Sequence, residues 1–136
     1  MTGFAAHKLQ EAVFAALAGD GALVSAVLGV YDEPPVNAVM PYVNLADTEI
    51  EPNDTKTATG SNIIFQVQVW SGENSQMQAK ELMAQIDGIL HASNLTITGH
   101  ELRMMRLVRA NCVRHNAQDG SYYQGTLRYK ATTQKL

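Results

Sequence analysis

The sequence predicts an α+β fold, in which a single layer of mainly antiparallel sheet has helices packed on one face. Residues 61–70 place apolar side chains at every second position, which is typical of a strand with one apolar face. Residues 75–92 follow at once with apolar residues at spacings of three and four, which predicts a helix long enough to cover a sheet. Helices, a strand and a polar segment precede this pair, and two or three strands follow it.

The composition predicts one domain over residues 1–136. A compact domain of this length buries roughly two-thirds of the surface that its unfolded chain exposes, so a hydrophobic core is available. The single cysteine, Cys112, excludes an intramolecular disulfide, and no apolar run approaches the roughly 20 residues needed to cross a bilayer. The start MTGFAAHKLQEAVF lacks the pattern of a signal peptide. We therefore expect a protein that is kept in a reducing compartment, away from membranes.

Two helices are predicted before the first strand. An alanine-rich run over residues 4–17 favours helix, and Gly19 ends it. Asp20 is placed to cap a second, short helix that runs through Val27. Consecutive prolines at positions 34 and 35 end this region, because proline lacks an amide hydrogen. The residues expected to point inward are Phe4, Leu9, Val13, Ala16 and Leu17 in the first helix and Leu23, Val24, Val27 and Leu28 in the second.

Residues 41–45 are predicted to form a strand in which Tyr42 and Asn44 face away from Val43 and Leu45. A polar segment, residues 46–60, follows and is called the arm here. Structureless loops of this length are uncommon in compact domains and tend to be functional or mobile. The arm is predicted to protrude and to bind a partner as an extended hairpin turning at residues 52–54, with disorder as the alternative. Its charged residues are Asp47, Glu49, Glu51, Asp54 and Lys56.

The central helix is predicted to start with a capping box formed by Ser75 and Gln78. A short strand is predicted at residues 94–98. Residues 100–113 fit either class, because local propensity favours helix whereas the alternation expected of a strand is imperfect. Residues 116–120 end in Asp-Gly, which predicts a turn before a strand at residues 121–132. The inward residues are expected to be Met77, Leu82, Met83, Ile86, Ile89 and Leu90 in the helix and Tyr123, Leu127, Tyr129 and Ala131 in the last strand.

Charge is unevenly distributed along the chain. From Arg103 onward there are seven basic residues and one acidic residue, whereas the first hundred residues contain three lysines and eleven acids. The net charge of −3 gives no reason to expect nucleic acid as the main partner. A protein with an acidic part and a basic part can meet a copy of itself head to tail. Solvated surface charges are the alternative explanation.

No pattern in the sequence indicates catalysis or a cofactor. The four histidines do not have metal-ligand spacing, and the alternating Asp47, Glu49 and Glu51 are explained either by a divalent cation or by solvation of the arm. Cys112 lies near Arg109 and Arg114, which can lower a thiol pKa, and His115 is three residues away. Burial as a small residue is the alternative for the cysteine. Trp70 opposes the apolar face of its strand, where it either anchors a subunit interface or covers the second face of the sheet.

Three motifs carry a resemblance to a known family. They are Pro41-Tyr-Val-Asn-Leu, Phe65-Gln-Val-Gln-Val-Trp-Ser, and the Asp119-Gly turn followed by Gly125-Thr-Leu-Arg-Tyr129. With these motifs and the order of elements, the chain resembles, over nearly its whole length, the tail terminator or tail-completion proteins of long-tailed phages and phage-derived gene transfer agents. The resemblance implies β structure over residues 103–113, which decides the ambiguous segment in favour of strand.

The resemblance implies a structural assembly protein and not an enzyme. It implies a hexameric ring that caps the tail tube, ends tube polymerisation and joins the tail to the head. The implied partners are further copies of the chain, the tail-tube protein and the head–tail connector, with DNA only as cargo and no membrane. The implied location is the tail of a virion or gene transfer agent particle, assembled in the bacterial cytoplasm. Expected interface residues are Asp47, Glu49, Glu51, Asp54, Lys56, Trp70, Arg103, Arg106 and Arg109.

Two alternatives remain open from the sequence. A head-side adaptor is also a small ring-forming protein without chemistry of its own. A small ligand-binding or thiol enzyme domain would use the cleft between sheet and helix, with Cys112 and His115 as its reactive groups.

Overall fold

The computed structural model describes residues 4–72, 76–91, 94–118 and 120–136, which form one sheet and three helices. In chain order the elements are α1 (Ala6–Ala18), α2 (Gly21–Ala26), β1 (Val30–Tyr31), β2 (Tyr42–Pro52), β3 (Gly60–Ser71), α3 (Met77–Leu90), β4 (His100–Ala117) and β5 (Gly120–Lys135). The strand order across the sheet is β1-β2-β3-β5-β4. The short β1 lies parallel to β2, and the other neighbours pair antiparallel. The predicted α+β class, with a mainly antiparallel sheet, is confirmed.

Strand β3 shows why the sheet has two different faces. Ile63, Val67 and Val69 are fully buried against the helices, as the period of two requires, and we call this side the helix face. The intervening side chains, which include Gln66 and Trp70, point to the opposite side and are half-buried. This opposite side is called the open face. Antiparallel sheets commonly cover one face and leave the other solvated.

The core lies between the helix face and helices α1 and α3. Each helix contributes a stripe at spacings of three and four residues. In α3 the stripe is Leu82, Ile86 and Leu90, as predicted, and in α1 it is Leu9, Val13 and Leu17. The phenol of Tyr129 on β5 stacks on Phe65 of β3 with ring centroids 5.6 Å apart. Together these contacts form one continuous apolar cluster.

Several residues that were predicted to point inward do not, and most of them lie at or near the boundaries of the helices. Phe4 precedes α1 and is exposed, while Ala5 is buried beside it. The six-residue α2 is too short to bury a second stripe, so Leu23 and Val27 are buried whereas Val24 and Leu28 are exposed. Met77, at the first position of α3, is 65% exposed because the helix begins beyond the edge of the core. Ala16 is only half-buried.

The two predicted helix caps have different outcomes. The Asp20 carboxylate accepts a hydrogen bond from the Leu23 amide at 2.9 Å, which confirms the cap of α2. Ser75, the first member of the predicted capping box on α3, lies outside the described residues. Gln76 is the N-cap residue and makes no side-chain cap hydrogen bond, and the Gln78 side chain accepts a hydrogen bond from Ser71 Oγ.

The strand predicted at residues 94–98 is wrong. Ile97 makes only an isolated bridge to His100, across a turn in which Gly99 has a φ of 81°. The Ile97 side chain is buried, so the apolar residue that suggested a strand packs into the core without pairing to a neighbouring strand.

Residues 100–113 form part of β4, so the choice of strand against local propensity is confirmed. The imperfect alternation has a physical cause. Bulges interrupt the pairing with β5 between Leu102 and Met104 and between Leu107 and Arg109. Each bulge inserts one extra residue and shifts the phase of the following side chains. The predicted turn also lies where β4 ends at Ala117 and pairs with Gly120, although Asp119 lies outside the described residues.

Candidate functional site

The acidic residues of the arm lie largely within the sheet, on an open edge. Strand β2 continues to Pro52, which pairs with Ser61 of β3, so the arm is an ordered hairpin. Its turn comprises residues 53–59, and the turn predicted at residues 52–54 is therefore wrong, because Pro52 still belongs to the strand. Glu49 and Glu51 pair with Ile64 and Asn62 on the open face, and Asp47 lies in a bulge. All three acids are exposed.

The outer edge of β2 is free along most of its length in the part of the chain that the structure describes. Strand β1 pairs with β2 only at Val43 and Asn44, and no described strand lies beside β2 from residue 46 onward. Together with Asp47, Glu49 and Glu51, this segment is called the acidic edge.

The turn of the arm is held by local hydrogen bonds. The Asp54 carboxylate accepts a hydrogen bond from the backbone amide of Gly60 at 3.1 Å, and the backbone amide of Asn53 donates to the Gly60 carbonyl at 2.9 Å. Asp54 therefore shapes the turn, whereas Lys56 is exposed near its tip. Residues of the turn line a shallow depression together with Arg103 and Thr132, so the turn lies beside the first part of β4.

The predicted basic residues lie on β4, at the opposite edge of the sheet. In the register of β4 with β5, Arg106 lies opposite Lys130 and Arg109 lies opposite Arg128, which places both arginines on the open face. Arg103 occupies a bulge and donates to the Gln134 side chain at 2.9 Å. Among the described residues, β4 has no strand on its outer side. This segment, with Arg103, Arg106 and Arg109, is called the basic edge.

Pairing registers place the two edges at the same level of the sheet. Glu49 pairs with Ile64, Ile64 with Lys130, and Lys130 with Arg106. One row therefore begins with an acid on β2 and ends with a base on β4. Within the chain Glu49 also forms an ion pair with Arg128 at 3.4 Å, an exposed contact of the kind that contributes little to stability.

Devices that discourage uncontrolled strand pairing are present along β4. Its two bulges and its arginines are features that natural edge strands use against aggregation. In addition, the outward amide of Leu107 donates to Nδ1 of His91 at 3.1 Å. The basic edge is thus partly covered by a side chain from the end of α3.

Aromatic side chains cross the open face at one end of the sheet, with one ring from each strand. This aromatic row consists of Tyr31, Tyr42, Trp70, Tyr122 and His115, on β1, β2, β3, β5 and β4. Ring centroids are 5.9 Å apart for Tyr31–Tyr42, 6.0 Å for Tyr42–Trp70, 6.0 Å for Trp70–Tyr122 and 4.9 Å for Tyr122–His115. Trp70 thus covers the second face of the sheet, as one interpretation of the sequence predicts.

Hydrogen bonds fix the rings of the aromatic row. Trp70 Nε1 donates to Asn44 Oδ1 at 2.6 Å, and His115 Nε2 lies 2.8 Å from Gln124 Oε1. Burial, followed by the neighbouring Tyr122 and Tyr31, raises the pKa of Tyr42, so its hydroxyl stays neutral. All five rings are half-buried. Aromatic residues such as Trp and Tyr are enriched at protein interfaces, so the row is a candidate contact surface.

The sequence reasoning identified Trp70 but missed the other four rings. The alternation of side chains along a strand, with a period of two residues, could have identified two of these rings. Tyr42 was expected to face away from the core, and Tyr123 was expected to face inward, which places Tyr122 on the open face. That these side chains align across the sheet depends on the pairing registers, which the sequence does not contain.

Cys112 and His115, the reactive groups of the thiol enzyme alternative, lie on opposite faces of the sheet. Cys112 lies opposite Gly125 in the pairing of β4 with β5, and a side chain at Gly125 would point at Met83 of α3. The Cys112 thiol is therefore on the helix face of the sheet. His115 belongs to the aromatic row on the open face. Burial raises the pKa of the Cys112 thiol and outweighs the opposite effect of Lys80, which favours the interpretation of Cys112 as a packed small residue over activation by the arginines.

Metal and membrane sites are not found among the described residues. No group of three His, Cys, Asp or Glu side chains in that part of the chain is placed to hold a metal ion. The pKa of His100 is lowered by burial and by nearby Lys135 and His7, which favours a neutral, structural histidine. No described helix combines the length and the apolar character that a membrane crossing requires.

Comparison with known proteins adds independent findings. The sequence matches the family described as "Tail completion protein gp17" over residues 11–134. No curated protein matches the chain. Among solved structures, the gp17 protein of bacteriophage SPP1 is 25% identical, with a TM-score of 0.66 over 94% of this chain and 90% of that one.

A second structure has a closely similar fold. A chain in the virion of a native gene transfer agent particle has a TM-score of 0.85 and 23% identity, covering 96% of this chain and 98% of that one. The match over residues 11–134 extends from α1 to the end of β5 and includes both edges and the aromatic row. The protein therefore belongs to the tail completion protein gp17 family, structural proteins that are part of phage-type virions and act in assembling their tails.

Proposed function

We propose that the protein forms a ring at the end of a phage-like tail tube, ends the growth of the tube and joins the tail to the head connector. Its membership in the tail completion family supports the tail role. A chain of similar fold is part of the virion of a gene transfer agent particle, which agrees with a place in a particle of that kind. In this proposal the partners are further copies, the tube protein and the connector, and DNA passes through the ring as cargo.

The observation that supports the ring is the placement of opposite charges on the two outer edges of one sheet. A contact between the acidic edge of one copy and the basic edge of the next uses two different surfaces. Repeated heterologous contacts close into a ring when the rotation between copies permits it. Complementary charge also favours this approach over contact between like edges.

Strand direction fits the same arrangement. The four long strands β2, β3, β5 and β4 alternate in direction across the sheet. When the strands run along the axis that relates the copies, β4 of one copy therefore runs antiparallel to β2 of the next. The alternation continues from copy to copy, as in a closed antiparallel sheet.

A charge swap tests this contact. Glu49→Arg places like charges at the contact, and Arg106→Glu does the same from the other side. Each single variant should weaken association, by about 1 kcal/mol at every interface. The double variant should restore much of it. Sedimentation velocity at low salt measures the result, and a hexamer has six times the 14.8 kDa mass of the chain.

The control is Glu81→Arg, which makes the same change on the exposed surface of α3. It should associate as the wild type does, and thermal unfolding should show that all variants fold. Association that is unaffected by either single charge reversal would contradict the edge contact, as would a double variant no better than the single ones.

A further inference from the structure

An apolar corner lies beside the start of β2. Residues 32–41 return from β1 to β2, and within them Val36 is 100% exposed and Val39 65%. Leu28, which lies between α2 and β1, is 62% exposed. The Leu28 amide donates to the Pro41 carbonyl at 2.8 Å, which ties the end of α2 to this loop. Leu28, Val36 and Val39 are called the apolar corner. Clustered apolar side chains in water indicate an interaction surface.

A second apolar surface lies at the opposite edge, on β4. Val113 is exposed beside His115, and Tyr122 stacks on His115 with ring centroids 4.9 Å apart. Tyr122 and His115 form the β4 end of the aromatic row, and Val113 lies beside them on the open face. His115 is hydrogen-bonded with Gln124 and stacked on Tyr122, so little of its side-chain entropy remains to be lost on binding.

The two apolar surfaces lie at the same end of the sheet. Tyr42, which follows the corner, pairs with Trp70, Trp70 with Gln124, and Gln124 with Val113. One row therefore connects the corner on the β2 side with Val113 on the β4 side. In a ring whose axis runs along the strands, surfaces that touch must lie at the same level along the axis, and the row places these two surfaces at one level.

We propose that the apolar corner of one copy packs against Val113, His115 and Tyr122 of the next copy. This inference rests on the proposed ring and adds a second contact to it. The charged contact lies toward the arm, and the apolar contact lies at the other end of the same two edges. The leucine and valine side chains of the corner can pack on aromatic rings, and an apolar contact supplies affinity that exposed ion pairs do not.

The test uses disulfide trapping in a Cys112→Ser background, which removes the single natural cysteine. Cysteines are introduced as Val36→Cys together with Val113→Cys. A heterologous contact links each copy to two neighbours, so mild oxidation should give a ladder of trimers and larger species. The control pairs Val36→Cys with Met104→Cys, which lies on β4 nine residues away from the contact, and should give no species beyond dimers. No ladder from the first pair, or equal ladders from both, overturns the proposal.

A second measurement separates this inference from the proposed ring itself. Val36→Asp with Val39→Asp should weaken self-association at least tenfold, while Leu136→Asp, which changes an exposed apolar residue outside the contact, should not. If the charge swap behaves as predicted but the corner variant associates normally, the result supports the ring and contradicts the apolar contact. Loss of binding to tube protein with intact self-association would mean that the corner has a different occupant, which also overturns the proposal.

Discussion

Tyr129 illustrates how a single residue joins the sheet to a helix. Its ring is fully buried on β5, and its hydroxyl donates to the Asp87 carboxylate of α3 at 2.8 Å. Burial, followed by this hydrogen bond and the charge of Asp87, raises the pKa of Tyr129 far above its ordinary value. The sequence predicts an inward position for Tyr129, but the partner 42 residues away is a result of tertiary packing.

We predict that Tyr129 makes the fold sensitive to alkaline pH. In the unfolded chain the phenol ionises near pH 10, whereas in the folded protein it stays neutral. The stabilisation is therefore complete below about pH 10 and is lost as the pH rises toward the folded pKa. Tyr129→Phe should cost about 1 kcal/mol at pH 7 and lose less stability between pH 9 and 11 than the wild type. Urea unfolding at several pH values measures both effects.

Asp87→Asn is the companion variant, because it removes the charge but keeps an acceptor. Burial is the largest cause of the raised pKa of Tyr129, so this variant should retain most of the alkaline sensitivity. Equal pH dependence for wild type and Tyr129→Phe would show that the phenol is not responsible.

At the scale of elements, Gly125 of β5 lies where the Met83 side chain of α3 packs on the sheet. A side-chain carbon at this position would lie 2.6 Å from Met83 Sδ, so the methionine would have to move to make room for it. The motif around Gly125 was recognised in the sequence by its resemblance. The reason for the glycine is a contact between a helix and a strand that are remote in sequence.

We predict that Gly125→Val destabilises the fold by about 1–3 kcal/mol through overpacking. Adding Met83→Ala should recover part of this loss, because the smaller side chain vacates the space. Gly88→Ala is the control, since a side chain there meets nothing within 4 Å and alanine favours helix. Denaturant unfolding compares the variants, and a double variant no more stable than Gly125→Val would exclude this contact as the cause.

Strand β4 shows why alternation of side chains does not identify every strand in a sequence. Its two bulges change the phase of the side chains, so a search for strict alternation fails over residues 100–113. The pairing partner β5 determines where the bulges lie. Family resemblance identified the strand because it carries information about tertiary pairing that local propensity lacks.

For the whole molecule, we predict that the turn of the arm serves assembly and not folding. Its described hydrogen bonds are mostly within the hairpin, as between Asp54 and Gly60 and between Thr55 and Ala58. Replacing residues 53–58 with Asn-Gly should therefore change the free energy of unfolding by no more than about 1 kcal/mol while weakening ring formation. Calorimetry and sedimentation velocity measure the two effects.

Particle assembly with this variant separates the two ring-forming roles. Failure of a tail terminator gives overlong tails, whereas failure of a head-side adaptor gives tails of normal length that are not attached to heads. The proposed function requires overlong tails, visible by electron microscopy. Unchanged ring formation together with unchanged tail length would contradict a role for the arm.

The sequence by itself determined the class of the fold, the central strand and helix, most of the buried residues and the separation of charge along the chain. These properties follow from local periodicity and composition, which are present in any window of residues. Only the tertiary structure decided that the acids and bases occupy opposite edges at one level, and that five rings form a row. Both facts depend on strand order and register, which are set by contacts between residues far apart in the chain.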